Sequence, residues 1–138
     1  PWPMKKTPAL ALAICVAVAG LSGAVSAKPA LKDVEHVREG IIATGMALEI
    51  SEKCGSISPR RIRGINYLFS LRSHAFDLGF SRAEVDAYVN DKTEENRLKE
   101  IAYGRLHDLG TVSGNEASYC AVGRAEIAKD SAIGRLLR

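Results

Sequence analysis

The chain has 138 residues, 19 of them Lys or Arg against 16 Asp or Glu, which suits one domain rather than two. A formal net charge of +3 is far from the clustered basic excess that a nucleic-acid binder needs. Part of that charge belongs to the start of the chain and not to the domain. Lys5 and Lys6 form a positive n-region after Met4, Ala9 to Gly20 is an apolar run, and Val25-Ser26-Ala27 is a small-residue cleavage site. This is the pattern of a secretory signal peptide. Cleavage is expected after Ala27, and Pro1-Trp2-Pro3, which precede Met4, carry no function in this reading. The apolar run is too short for a stable membrane anchor, and Cys15 follows Ile14 rather than a small residue, which argues against a lipoprotein. With the two n-region lysines gone, Lys and Arg fall from 19 to 17 against 16 acids.

Export fixes the redox compartment, so the protein is expected in the periplasm. The three cysteines become two, Cys54 and Cys120, and one disulfide between them is the expected pairing. Closing a loop of that length stabilises a fold by about 4 kcal/mol in the chain-entropy account. A redox-active pair would place its cysteines close together as C-x-x-C, which this sequence does not do.

From residue 28 the hydrophobic pattern predicts five helices. Asp33 suits an N-cap, and Val34, Val37, Ile41 and Leu48 follow at helical spacing. Between Ile41 and Ile50 only Thr44 and Glu49 are neither apolar nor Gly, so this helix is expected in the core, ending at Cys54-Gly55. Ser58 and Pro59 read as the N-cap and first residue of a second helix. Its apolar positions, Ile62, Gly64, Ile65, Leu68, Phe69, Leu71, Ala75, Phe76 and Leu78, cover about 200° of arc. Packing against neighbours on two sides is therefore expected. Gly79 ends it. Ser81-Arg82-Ala83-Glu84 is a capping box for a short third helix. A fourth, from about Thr93 to Leu109, carries Leu98, Ile101, Ala102 and Leu106 and stops at Gly110. A fifth starts at Asn115-Glu116, and Asp130-Ser131 re-caps a last turn with Ile133, Leu136 and Leu137. Alternation with period two is missing, so the fold class is all-α, a single small disulfide-linked helical domain over residues 28–138. Small residues (Gly40, Ala43, Gly45, Ala47, Gly64, Ala121, Gly123, Ala125) mark places for close helix approach.

Catalytic signals are sparse. His36-x-x-Glu39 and His74-x-x-Asp77 each put an imidazole and a carboxylate one turn apart, but neither pair has the third partner a zinc site requires. Both read as solvated faces, as does the Arg60, Arg61, Arg63 cluster. C-x-x-C-H, G-x-S-x-G, G-x-x-x-x-G-K and H-E-x-x-H are absent, so no cofactor, metal or catalytic residue is expected. One charge is oddly placed. Arg72 falls inside the apolar arc of the second helix, and Glu49 interrupts the apolar run of the first. A buried charge must be paired, so Arg72 and Glu49, or Arg72 and another carboxylate, are candidates for a buried ion pair between helices. Two other readings remain open: Arg72 snorkels to solvent, or it binds a carboxylate ligand in a groove.

Four blocks then carry a resemblance: His36-Val37-Arg38-Glu39-Gly40-Ile41-Ile42-Ala43, Arg63-Gly64-Ile65-Asn66-Tyr67-Leu68-Phe69-Ser70, Asp86-Ala87-Tyr88-Val89-Asn90-Asp91 and Glu116-Ala117-Ser118-Tyr119-Cys120-Ala121-Val122-Gly123-Arg124. Together they resemble the DUF5333 family, exported alphaproteobacterial proteins of unknown function, across essentially the whole of residues 28–138. The resemblance implies an exported helical domain and no particular activity. Two functional expectations follow. The first is a non-enzymatic periplasmic protein that binds another envelope protein, as an accessory or chaperone-like factor, without nucleic acid and without a membrane anchor once the signal is removed. The second is a small-ligand binder or enzyme using Arg72 with a nearby carboxylate.

Overall fold

The first helix supplies the axis of the molecule because its apolar residues recur on almost every side. The computed structural model describes residues 28–138, so the signal segment and its predicted cleavage after Ala27 lie outside the described residues. A 3-10 turn at Leu31–Asp33 leads into α1 (Glu35–Lys53), followed by α2 (Arg61–Asp77), α3 (Arg82–Val89), α4 (Lys92–Leu109), α5 (Glu116–Ala128) and a closing 3-10 turn at Gly134–Leu136. The described residues contain no strand, only two isolated bridges. The fold is all-α.

Val37, Gly40, Ile42, Ala43, Met46, Ala47 and Ile50 are the buried residues of α1, and the helix touches α2, α4 and α5. Its Ile42, Met46 and Ile50 join Leu98, Ala102 and Leu106 of α4 with Tyr119 and Val122 of α5 in the main core, which Leu136 and Leu137 close from the C-terminal end. A smaller core gathers Leu31, Val34, Val37, Ala75, Phe80 and Val85 under α3. Ile41 and Tyr88 pack against both. The Cys54–Cys120 disulfide fastens the end of α1 to α5, with Cα atoms 5.2 Å apart, inside the range that a bridge requires.

Gly40 and Gly123 make close approaches possible within the helices, as Gly134 does in the closing 3-10 turn against the Glu126 backbone. A Cβ on Gly40 would lie 2.6 Å from Leu71 Cδ1, and one on Gly123 would lie 2.5 Å from Ile57 Cδ1. Gly64, expected to serve the same purpose, has nothing within 4 Å of its Cβ position. Local signals hold well at other helix ends. Ser81 and Glu84 form the full capping box, Asn115 caps α5, and Gly110 ends α4 at φ 119°, where a side chain would be strained.

Three expectations fail on long-range structure. Ser58 and Pro59 do not open α2. Ser58 instead exchanges backbone hydrogen bonds of 2.8 and 2.9 Å with Arg138, and Arg60 N–H donates to the Leu136 carbonyl, so the helix begins at Arg61 rather than Pro59 and without a side-chain cap. Asp33 sits in the preceding 3-10 turn, and Val34 takes the N-cap position because Leu31 and Val34 both turn into the smaller core. The third failure concerns α2, which is not covered on two sides: only Leu71 and Ala75 of its residues are buried.

Candidate functional site

Facing inward, α2 presents Leu71 and Ala75 to α1 and to the smaller core. Its outward face carries Ile62, Ile65 and Phe69, which are 75%, 51% and 59% exposed, with Leu68, Phe76 and Leu78 also exposed. Large apolar side chains scattered singly on a surface are ordinary, whereas a contiguous row of them is the kind of patch that marks an interaction site. Here they form a row. At 100° per residue, Ile62, Ile65, Phe69, Arg72 and Phe76 fall within an arc of about 80°. Their successive spacings of three and four residues are those of a coiled-coil seam, running about 21 Å along the helix at 1.5 Å per residue.

Arg72 belongs to this row and not to the core. Its side chain is half-exposed and lies 3.9 Å from Asp86 on α3, and its guanidinium stands 5.4 Å above the Phe76 ring. Glu49 is elsewhere. It lines a small cleft of about 290 Å³ with Lys53, Tyr103 and His107, and it makes no ion pair among the described residues. The expected Arg72–Glu49 pair therefore does not form. Arg72 meets an exposed carboxylate across the α2–α3 surface, close to the snorkelling arrangement. The buried carboxylates are two that periodicity did not single out, Glu94 and Glu126. Glu94 accepts from Arg97 Nε and Nη2 at 2.8 and 2.6 Å, and Arg97 holds its carboxyl below the usual range despite burial. Glu126 accepts from Lys129 at 3.1 Å. Both pairs are one turn apart on their own helices, a spacing readable in the sequence.

A groove of about 820 Å³ opens between α1, α2 and the C-terminal segment, with Ala43, Met46, Leu78 and Ile133 as apolar lining. At its wall the rings of His36 and His74 meet edge to face, 4.6 Å between centroids. Each histidine has a carboxylate one turn away in the sequence, yet the two rings meet each other across 38 positions, on different helices. On another wall Arg105 donates two hydrogen bonds to Glu39, which lowers the Glu39 pKa and raises that of Arg105. That guanidinium is already engaged. Arg72 lines neither this groove nor the Glu49 cleft, and a third groove at the start of α2 excludes it too.

The third groove has a different character. It measures about 730 Å³ and gathers Arg60, Arg61, Arg63 and Arg138 around Ile62, with no Asp or Glu side chain in its lining. Arg60 Nε donates to the Leu137 carbonyl and Arg63 Nη1 to that of Arg135, contacts that position the guanidiniums without neutralising them. The N-terminus of α2 adds its own partial positive charge at the same place. The apolar row thus begins at a strongly basic end.

No group of three or more metal-binding side chains occurs among the described residues, and no helix there is long and apolar enough to cross a membrane. In comparison with known proteins, a family model described as a family of unknown function, DUF5333, matches residues 29–138. No curated protein and no solved structure matches.

Proposed function

The chain belongs to the family of unknown function DUF5333, and from that premise we propose that it is an exported, non-enzymatic periplasmic protein that works by binding another protein of the cell envelope. The observation that carries this reading is the uncovered apolar row on α2. Leaving Ile62, Ile65 and Phe69 in water contributes nothing to the stability of the monomer, while burying such a row against a partner is favourable by roughly 25 cal/mol per Å² of apolar surface. The Cys54–Cys120 bridge supports an oxidising location. An accessory factor and a chaperone-like holder would both use such a face.

Native pull-down from periplasmic extract, comparing the wild type with Ile65→Glu, tests the reading. The wild type is expected to retain a defined protein that the variant loses. Identical recovery by both would contradict it. Mass spectrometry of the secreted material is expected to place the mature N-terminus at Lys28, and a mass that still includes residues 4–27 would contradict the export claim.

A further inference from the structure

The row on α2 has a shape and a charge that together select its occupant. Ile62, Ile65, Phe69, Arg72 and Phe76 repeat with heptad spacing, which keeps a seam facing a second helix along its length. Asn66, Ser70 and Ser73 flank the row on one side, and exposed Leu68 and Asp86, the partner of Arg72, lie on the other. Arg72 itself stands at a seam position, where a single charged residue fixes register by demanding an opposite charge across the interface. At the N-terminal end of the seam stand Arg60, Arg61, Arg63 and Arg138 without an Asp or Glu side chain among them.

We infer that α2 is the docking site for an amphipathic, acidic α-helix of a partner protein. Its apolar residues would seat on Ile62, Ile65, Phe69 and Phe76, one carboxylate would meet Arg72, and an acidic end would meet the arginine cluster. This inference rests on the protein-binding reading above and specifies the partner's chemistry. Other occupants match the face less well. In a parallel pair of two copies the arginine clusters would face each other. In an antiparallel pair the last turn of α2 offers one carboxylate, Asp77, to four guanidiniums. A helix lying on an anionic membrane has a broad apolar face bordered by Lys and Arg along its length, whereas here the arginines gather at the N-terminal end of the row and the polar residues beside the remainder are Asn66, Ser70, Ser73 and Asp86.

The probe is a fluorescein-labelled helical peptide of about two and a half heptads, with Leu at seam positions and Glu beside them, compared with the same peptide carrying Lys in place of Glu. Fluorescence anisotropy with the oxidised full domain is expected to show the Glu peptide binding at least tenfold more tightly. Phe69→Glu should weaken that binding tenfold or more, and Arg61→Glu with Arg63→Glu should invert the preference between peptides. Ile62→Ser, at the most exposed position of the row, gives a second test if Phe69→Glu fails to fold by circular dichroism. Equal binding of the two peptides, or binding of neither, overturns the inference. So does tighter binding to equimolar phosphatidylcholine–phosphatidylglycerol vesicles than to the Glu peptide, or a dimer in sedimentation that Phe69→Glu dissolves. Loss of the peptide preference with the pull-down partner retained removes the acidic helix and leaves protein binding standing. Insensitivity of both peptide and partner to Phe69→Glu removes both.

Discussion

Helices α1 and α2 are similar in length and both rich in apolar residues, yet the fold uses them in opposite ways. In α1 the apolar residues on several faces meet α2, α4 and α5, and Ile42 and Ile50 are almost fully buried. In α2 the chain covers one stripe, Leu71 and Ala75, and leaves the other to water. An apolar arc alone therefore does not measure core contribution. A second apolar stripe separated from the buried one can exist for something outside the chain, and stability measurements can tell the two apart.

The largest expected effect is on the fastening of α1 itself. Replacing Cys54 and Cys120 together by Ala should lower unfolding free energy by about 4 kcal/mol, because the 66-residue separation makes the cross-link restrict the unfolded chain strongly. Denaturant titration of oxidised wild type against the double variant measures it, and a loss below about 1 kcal/mol would mean that the bridge adds little to α1's position. Next comes Ile50→Ala, which empties a site with 0% exposure and is expected to cost about 2–5 kcal/mol by the same titration. A smaller loss, about 1–3 kcal/mol, is expected from Gly40→Ala, whose new methyl group would force Leu71 and Tyr67 away from α1.

Acid also acts on the buried side of the fold. The Glu94 carboxyl has a depressed pKa, chiefly through its hydrogen bonds from Arg97. Its contribution to stability is therefore complete above the unfolded-state value of about 4.3 and is lost as pH falls through the lower folded-state value. Arg97→Ala should remove part of that loss, making stability less steep in pH below about 4.3, as followed by thermal melts across an acid series. The smallest effect belongs to Arg72→Ala. Its pair with Asp86 is long and solvent-exposed, so the change should stay below about 1 kcal/mol. A buried ion pair broken on one side would cost about 3–5 kcal/mol, and a loss of that size would return Arg72 to the core.

Much of this architecture was legible because it is local. The Ser81–Glu84 box, Asn115 and Gly110 act on neighbouring residues, and each sits where the sequence placed it. Ser58-Pro59 has an equally good local signature, but its backbone is taken by Arg138, eighty positions away, and no local rule anticipates that. The His36–His74 contact was hidden for the same reason. The site failed differently. Ile62, Ile65, Phe69, Arg72 and Phe76 were visible at heptad spacing, but a periodic apolar pattern does not say whether the chain's own helices or another molecule covers it. Arg72 looked anomalous only on the assumption that the whole arc was core.

The outer face of α2 takes no part in holding the monomer together. Chemical denaturation of the triple variant Ile62→Asp, Ile65→Asp, Phe69→Asp at two protein concentrations tests it most directly. Retained helicity, a midpoint independent of concentration and a total change within about 1.5 kcal/mol are expected, at the roughly 0.5 kcal/mol per site typical of exposed positions. A loss of several kcal/mol, or a midpoint that moves with concentration in the wild type and not in the variant, would show that this face is already buried and would contradict the account.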